Sequence, residues 1–206
     1  MDFTASERSS GDPVRPSSAK IVVAGGLGAG KSTLIRSVCD IGPLRTEAVI
    51  TMASAGPEGP GRAALQESAS AVVDFGRVTL EESLVLYLFG IPGQDRFRSI
   101  RDDVVHGSIA AVVLADPLRP ADSSSSVEHF ERCGIPFVVA LNSFDGQGRF
   151  DTDQARAALR IRPDVPVVPT DARRRDAVKE LLVRAIEHAL ERRHSPPEGP
   201  AHAASH

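Results

Sequence analysis

The residues from Gly25 to Ser32 read G-G-L-G-A-G-K-S and follow directly on the apolar run Ile21 to Ala24. They fit G-x-x-x-x-G-K-[ST], a phosphate-binding loop set between a strand and a helix. Glycine backbones there curl so that successive N–H groups point at phosphate oxygens, and a side chain would block the approach. Gly25, Gly28, Ala29 and Gly30 thus line an expected cradle, and Lys31 is placed to reach β- and γ-phosphates. Ser32 and Thr33 open a helix whose positive end faces the same charges. The Ser32 hydroxyl is the expected ligand for Mg²⁺. Such a site suits a nucleoside triphosphate, while the loop alone does not say which base is held.

A second motif, Gly90-Ile91-Pro92-Gly93-Gln94-Asp95-Arg96-Phe97, closes the apolar run Leu84 to Phe89. A strand end on the phosphate-loop edge of a sheet is where a γ-phosphate sensor belongs. Gly93 could offer its backbone N–H to that phosphate, and Gln94 could orient an attacking water, a positioning role suited to phosphoryl transfer. A third motif, Asn142-Ser143-Phe144-Asp145, follows the run Pro136 to Leu141. The Asp145 carboxylate can accept from the N1–H and N2–H₂ edge of guanine, which adenine does not offer, and Asn142 would tie its strand end to the phosphate loop. Losing such a buried pair costs enough to discriminate between bases. Thr170-Asp171-Ala172-Arg173 ends the last strand-like run, where Asp171 and the N–H of Ala172 could meet the base, the latter at guanine O6.

The elements that must position these residues alternate along the chain. Strand-like runs lie at Lys20 to Ala24, Val72 to Leu80, Leu84 to Phe89, Ile109 to Ala115, Pro136 to Leu141 and Val165 to Val168, with helix-like stretches between them. This is the α/β pattern of a wound, mostly parallel six-stranded sheet flanked by helices on both faces. Runs such as V-L-Y-L-F and A-A-V-V-L are apolar at successive positions, as strands covered on both faces are. In the last helix Val178, Leu181, Leu182, Ala185, Ile186, Ala189 and Leu190 form the expected core stripe, with Lys179, Glu180, Arg184, Glu187 and His188 facing away. Residues 41 to 69, with Gly-Pro-Glu-Gly-Pro-Gly at 56 to 61, show little hydrophobic order and read as a long connection where a nucleotide switch loop would lie. Residues 1–18 and 194–206 read as disordered tails around one domain at 19–193.

Composition narrows the function further. The 206 residues carry a formal charge of −3 with both signs mixed along the chain, so no field favours nucleic acid or an anionic membrane. No apolar run is long enough to span a bilayer, and neither a signal peptide nor a lipidation motif is evident, which points to the cytoplasm. The 2 cysteines, Cys39 and Cys133, read as free thiols in a reducing compartment. The 6 histidines are scattered without metal-ligand spacing and read as surface residues.

Taken together, these motifs resemble a small Ras-like GTPase over residues 19 to 192. F-G-R-V-T-L followed by L-Y-L-F-G-I-P-G-Q-D-R-F is most similar to the conservon-type (CvnD-like) G proteins of actinobacteria, relatives of the gliding-motility GTPase MglA. T-E-A-V-I-T-M-A-S-A-G at 46 to 56, G-I-P-F-V-V-A-L-N-S-F-D-G at 134 to 146 and D-A-R at 171 to 173 look alike too. The resemblance implies a P-loop Ras-like G domain and a GTP/GDP switch with Mg²⁺. It also implies a roadblock (LC7-type) regulatory protein and a sensor-kinase-like membrane protein as partners, with recruitment to the membrane through them.

The chain departs from the Ras-like pattern at several positions. Gly90 stands where an aspartate usually holds the Mg²⁺ water shell, and Ile91 where threonine is usual; conservon-type proteins resemble this chain in the glycine. Ser70, or else Ser68, would have to replace the switch threonine that senses Mg²⁺ and γ-phosphate. Ser143 replaces a lysine that lies over the base. These changes imply slow hydrolysis. Arg96, Arg98 and Arg101 are candidate transition-state arginines or, as exposed arginines commonly are, solvent-facing charges. Three functions follow: a hydrolysing GTP switch, a nucleotide-binding interaction module without turnover, and an ATP-dependent kinase or transferase.

Overall fold

A computed structural model describes residues 17–40, 44–52, 67–81, 84–91, 98–143 and 151–194. Strand β1 (Ser17–Gly25) leads into helix α1 (Lys31–Val38), followed by β2 (Leu44–Met52), β3 (Glu67–Glu81), β4 (Leu84–Gly90) and α2 (Arg98–Val105). Then come β5 (Ala110–Ala115), a short 3₁₀ turn at Pro120–Ser123, α3 (Ser124–Cys133), β6 (Phe137–Asn142), α4 (Thr152–Leu159), β7 (Val167–Thr170) and α5 (Arg175–His194). The sheet order is β2-β3-β4-β1-β5-β6-β7. From β4 through β7 all neighbours are parallel, while β3 pairs antiparallel with β4 and with β2.

β1 sits between β4 and β5, so Ile21, Val22 and Val23 are wholly buried, which accounts for their unbroken apolar character. Alternate residues divide between two cores. Ile21, Val23, Leu86, Leu88, Val112, Leu114 and Val138 face α1 and α5, whereas Val22, Ala24, Ala111, Val113, Val139 and Leu141 face the residues of α3 and α4. The expected mostly parallel sheet with helices on both faces is therefore present.

Three expectations need correction. The stretch 41–69 is not one loop: Leu44–Met52 forms an additional, seventh strand, paired in register with β3 from Leu44↔Phe75 to Met52↔Glu67. Its run R-T-E-A-V-I-T-M is polar enough to hide a strand that has one neighbour among the described residues, although Thr, Val and Ile suit a pleated backbone. The Gly-Pro-rich residues 56 to 61 and both predicted tails, apart from Ser17, Ser18 and His194, lie outside the described residues.

The histidines are not all on the surface. His129 is 2% exposed and lies one helical turn from Cys133, with Nε2 3.9 Å from Sγ, and Asp102 lies 3.7 Å from its Nδ1. Asp102, His129 and Cys133 thus form the one grouping of metal-capable side chains among the described residues. The Arg132 guanidinium lies 3.0 Å from Nδ1, which it can only approach as a donor, and its charge opposes a cation there.

In α5 the phase of the stripe also shifts. Val178, Leu181, Leu182, Ala185 and Ala189 are buried as expected, but His188 is 4% exposed and Leu190 is 49% exposed. At about 100° per residue, position 188 returns to the face of Leu181 while position 190 lies opposite it.

His188 Nε2 has no hydrogen-bond partner among the described residues, and burial lowers the pKa of the ring below its ordinary 6.5. The unfolded chain takes up a proton on this ring as pH falls through its ordinary value, whereas the folded chain resists until lower pH. The associated stability is therefore complete above the unfolded pKa and is lost as pH falls below it toward the folded pKa. Thermal melts at about pH 7.5 and about pH 5 should show a gap in midpoint that narrows in His188→Leu. An unchanged gap would place the pH dependence elsewhere.

Candidate functional site

The residues after β1 turn sharply because the backbone has no room for side chains. Gly25 adopts φ 137°, and a Cβ there would overlap the carbonyl oxygen of Leu114 in the adjacent β5. Gly30 adopts φ 105° as the N-cap of α1, and a Cβ there would strike the carboxamide of Asn142. Gly28 is also left-handed but open, and Ala29 is buried beneath the turn, closing it with a hydrogen bond from its N–H to Gly26 O.

Lys31 Nζ folds back over this loop and donates to Gly25 O at 2.9 Å and Gly26 O at 2.8 Å. Burial lowers its pKa, an effect partly opposed by the negative charge of Asp74. Ser32 and Thr33 are half-buried in the first turn of α1. Ser32 Oγ donates to Asp74 Oδ2 at 2.5 Å, so a carboxylate from β3 reaches the hydroxyl expected to hold a cation.

A second support comes from beyond β5. The buried Ser123 hydroxyl donates to Leu114 O at 2.9 Å and accepts the N–H of Gly26 at 3.0 Å. Sequence reasoning passed over both Ser123 and the role of Asp74. Ser123 stands in a serine run with no distinguishing spacing, while Asp74 is an acidic residue within the otherwise apolar V-V-D-F-G, which is a detectable anomaly.

Asn142 ends β6 with a buried carboxamide used at both ends. Its Nδ2 donates to Ala29 O at 2.8 Å, and its Oδ1 accepts the N–H of Ala172 at 2.9 Å. The loop after β1 and the turn after β7 are thereby held by one side chain. The Ala172 N–H expected at guanine O6 is thus already engaged, and the next N–H, that of Arg173, donates to Asp171 Oδ1 at 3.0 Å. The Asp171 carboxylate also pairs with the Arg173 guanidinium at 2.8 Å, and that side-chain hydrogen bond is the main cause of its lowered pKa. Asp171 is therefore turned to its own loop.

Ser70 lies within β3, its backbone paired with Val49. Counting back from Asp74 at about 3.4 Å per residue puts it roughly 14 Å along the strand, and the described contact with Ser32 comes from Asp74. Ile91 is buried and donates its N–H to Val23 O at 2.9 Å, so it prolongs the β4 contact with β1, a task an apolar residue does well. Gly93, Gln94, Arg96 and Asp145 lie outside the described residues, as do the side chains of Ser68, Ser70, Arg98 and Arg101.

Asn142→Ala should remove both buried hydrogen bonds and leave Ala29 O and Ala172 N–H without them. Urea denaturation is expected to show a loss of about 2–4 kcal/mol, since each stranded buried group costs about 1–3 kcal/mol. A loss within about 0.5 kcal/mol, the usual surface value, would mean that the loops stand without this tie.

Comparison with known proteins agrees with this architecture. The family described as conserved hypothetical ATP binding proteins matches residues 23–193. The uncharacterized protein MJ1339 of Methanocaldococcus jannaschii is 24% identical over 172 residues, which span 82% of this chain and 96% of that protein. Among solved structures, the G domain of the T. maritima FeoB iron transporter aligns with TM-score 0.58 at 18% identity, covering 84% of this chain and 99% of that one. The FeoB G domain from Methanococcus jannaschii gives TM-score 0.55 at 18% identity, with coverage of 84% and 98%. An S. thermophilus NFeoB mutant bound to GDP gives TM-score 0.54 at 20% identity, covering 82% of this chain and 61% of that one. The shared fold is the P-loop G domain, and by the match over residues 23–193 the chain belongs to the family of conserved hypothetical ATP binding proteins.

Proposed function

We propose that the chain is a guanine-nucleotide switch that binds GTP and GDP and hydrolyses GTP slowly on its own. The observation that carries this reading is the phosphate loop itself: glycines at positions that exclude a Cβ, Lys31 drawn over the loop, and Asn142 bracing it from the end of β6. Asp145 follows Asn142 by three residues, and its carboxylate is the group that would read the guanine edge. That neighbouring solved G domains are described as bound to GDP or GMPPNP is in keeping with the choice of base.

In this reading Gly25, Gly28, Ala29, Gly30, Lys31 and Thr33 hold the phosphates, Ser32 holds Mg²⁺, and Gly93 and Gln94 meet the γ-phosphate and the attacking water. Mg²⁺, when bound, neutralises charge on the β- and γ-oxygens. Lys31 would exchange two carbonyl acceptors for phosphate oxygens, and Gln94 would orient the water rather than remove its proton. GTP would favour a surface around the γ-phosphate that a partner reads, and hydrolysis would release it. Kinship with conservon-type G proteins, the roadblock and sensor-kinase-like partners, and recruitment to a membrane through them belong to the same reading. Among the described residues no helix is long and apolar enough to cross a membrane.

A second reading, adenine specificity, is favoured by the family's description as ATP binding and by the engagement of Ala172 N–H with Asn142. Titration with fluorescent GDP and ADP separates the two, and tighter ADP binding overturns the guanine assignment. Asp145→Asn should lower the preference for guanine roughly 100-fold or more, because a site built to pair a polar edge rejects ligands that leave it unpaired. Lys31→Ala should weaken triphosphate binding at least roughly 100-fold, at about 1.5–3 kcal/mol per charge-assisted bond, while its circular dichroism spectrum stays native. Single-turnover phosphate release tests the switch: no release above buffer, with a roadblock partner present, leaves a binding module instead.

A further inference from the structure

We propose that Asp74 is the positioning residue of the Mg²⁺ site, supplying from β3 the carboxylate that position 90 lacks. The inference rests on the reading of Ser32 as a Mg²⁺ ligand. In P-loop nucleotide-binding proteins the cation is held by the loop serine or threonine together with an aspartate at a neighbouring strand end. Here that strand end is Gly90, which has no side chain to offer.

The register of the sheet supplies a substitute. Asp74 is paired directly with Gly90 across the antiparallel β3–β4 ladder, and residues opposite one another project to the same face. A Cβ built on Gly90 would lie 3.2 Å from Asp74 Cβ, 3.6 Å from Asp74 Oδ2 and 2.9 Å from Ile35 Cδ1. The Asp74 side chain therefore occupies the space into which a side chain at position 90 would grow. Its Oδ2 already accepts the Ser32 hydroxyl proton at 2.5 Å, which fixes that hydroxyl and turns its lone pairs away from the carboxylate. Its charge also acts on Lys31, the cation beside Ser32. One carboxylate thus touches Ser32 and influences Lys31, the two relations required of a group that orients a bound cation from behind its ligand.

The residues fit Mg²⁺ chemically: a hydroxyl and a carboxylate are hard oxygen donors, and a single carboxylate leaves room for phosphate and water. The absence of a side chain at Gly90 follows from the same arrangement, since an aspartate there would place two carboxylates against one another and press on Ile35.

The test uses the full chain and fluorescent GDP and ADP, each titrated in MgCl₂ and in EDTA. For whichever nucleotide the wild type binds, Mg²⁺ should tighten binding. In Asp74→Asn that tightening should fall about 10- to 100-fold, the usual effect of losing an orienting partner of a metal ligand, while affinity in EDTA stays equal or rises as Lys31 loses a neighbouring negative charge. Moving the carboxylate back, in Asp74→Ala combined with Gly90→Asp, should restore a large part of the Mg²⁺ effect. An undiminished Mg²⁺ effect in Asp74→Asn overturns the proposal, and so does equal weakening in EDTA, which would mark Asp74 as merely structural. A wild type that shows no Mg²⁺ effect with either nucleotide overturns it too. Preference for ADP would refute the guanine reading alone, because the comparison of Asp74 variants runs equally well with ADP.

Discussion

The site depends on one buried carboxamide. Asn142 has a donor and an acceptor pointing in different directions, and each meets a backbone group that would otherwise be buried without a partner. Because Ala29 belongs to the loop after β1 and Ala172 to the turn after β7, three strand ends are held in one relation although β1 and β6 are not neighbours. A hydrophobic residue at 142 could fill the volume but could not satisfy both groups. The requirement for close approach extends to Gly30, whose lack of a Cβ leaves space for that same carboxamide.

The architecture was legible where the signal was contiguous. G-G-L-G-A-G-K-S gave loop, strand end and helix start together, and the apolar runs of β1, β4, β5 and β6 reported burial on both faces. β2 was missed because an edge strand with a single neighbour has no need of continuous apolarity. His188 and Leu190 were exchanged because residue type outweighed position: helical geometry puts 188 on the face of Leu181 and 190 opposite it, but a histidine reads as polar and a leucine as core. Asp74 could not be paired with Ser32 from sequence, since the contact spans 42 positions and exists only through the β3–β4 register. The Asn142 bond to the loop spans 113 positions, yet its motif stands at a fixed place after a strand, which made it readable.

Support for the phosphate loop is distributed unequally. On one side the wholly buried β5 presents Leu114 O to Ser123, and Ser123 in turn holds Gly26, so the first part of the loop rests on the core. On the other side Ser32 is met by Asp74 from a strand whose outer neighbour is the edge strand β2. The Gly25–Gly26 half of the loop is thereby built onto the wholly buried β5. The Ser32 half is tied instead to β3, which pairs antiparallel with both of its neighbours.

The position of Lys31 carries a consequence for the electrostatics of the loop. Its ammonium is already solvated by two carbonyl dipoles, so the cradle does not present a bare buried charge awaiting any passing anion. A simple monovalent anion offers a single charge in exchange for those two acceptors and must shed its own hydration to do so. In the proposed reading a polyphosphate brings several charged oxygens, which could meet the lysine and the helix terminus in one event. In the proposed reading this arrangement would favour polyanions over the simple salts of the surroundings, whatever base they carry.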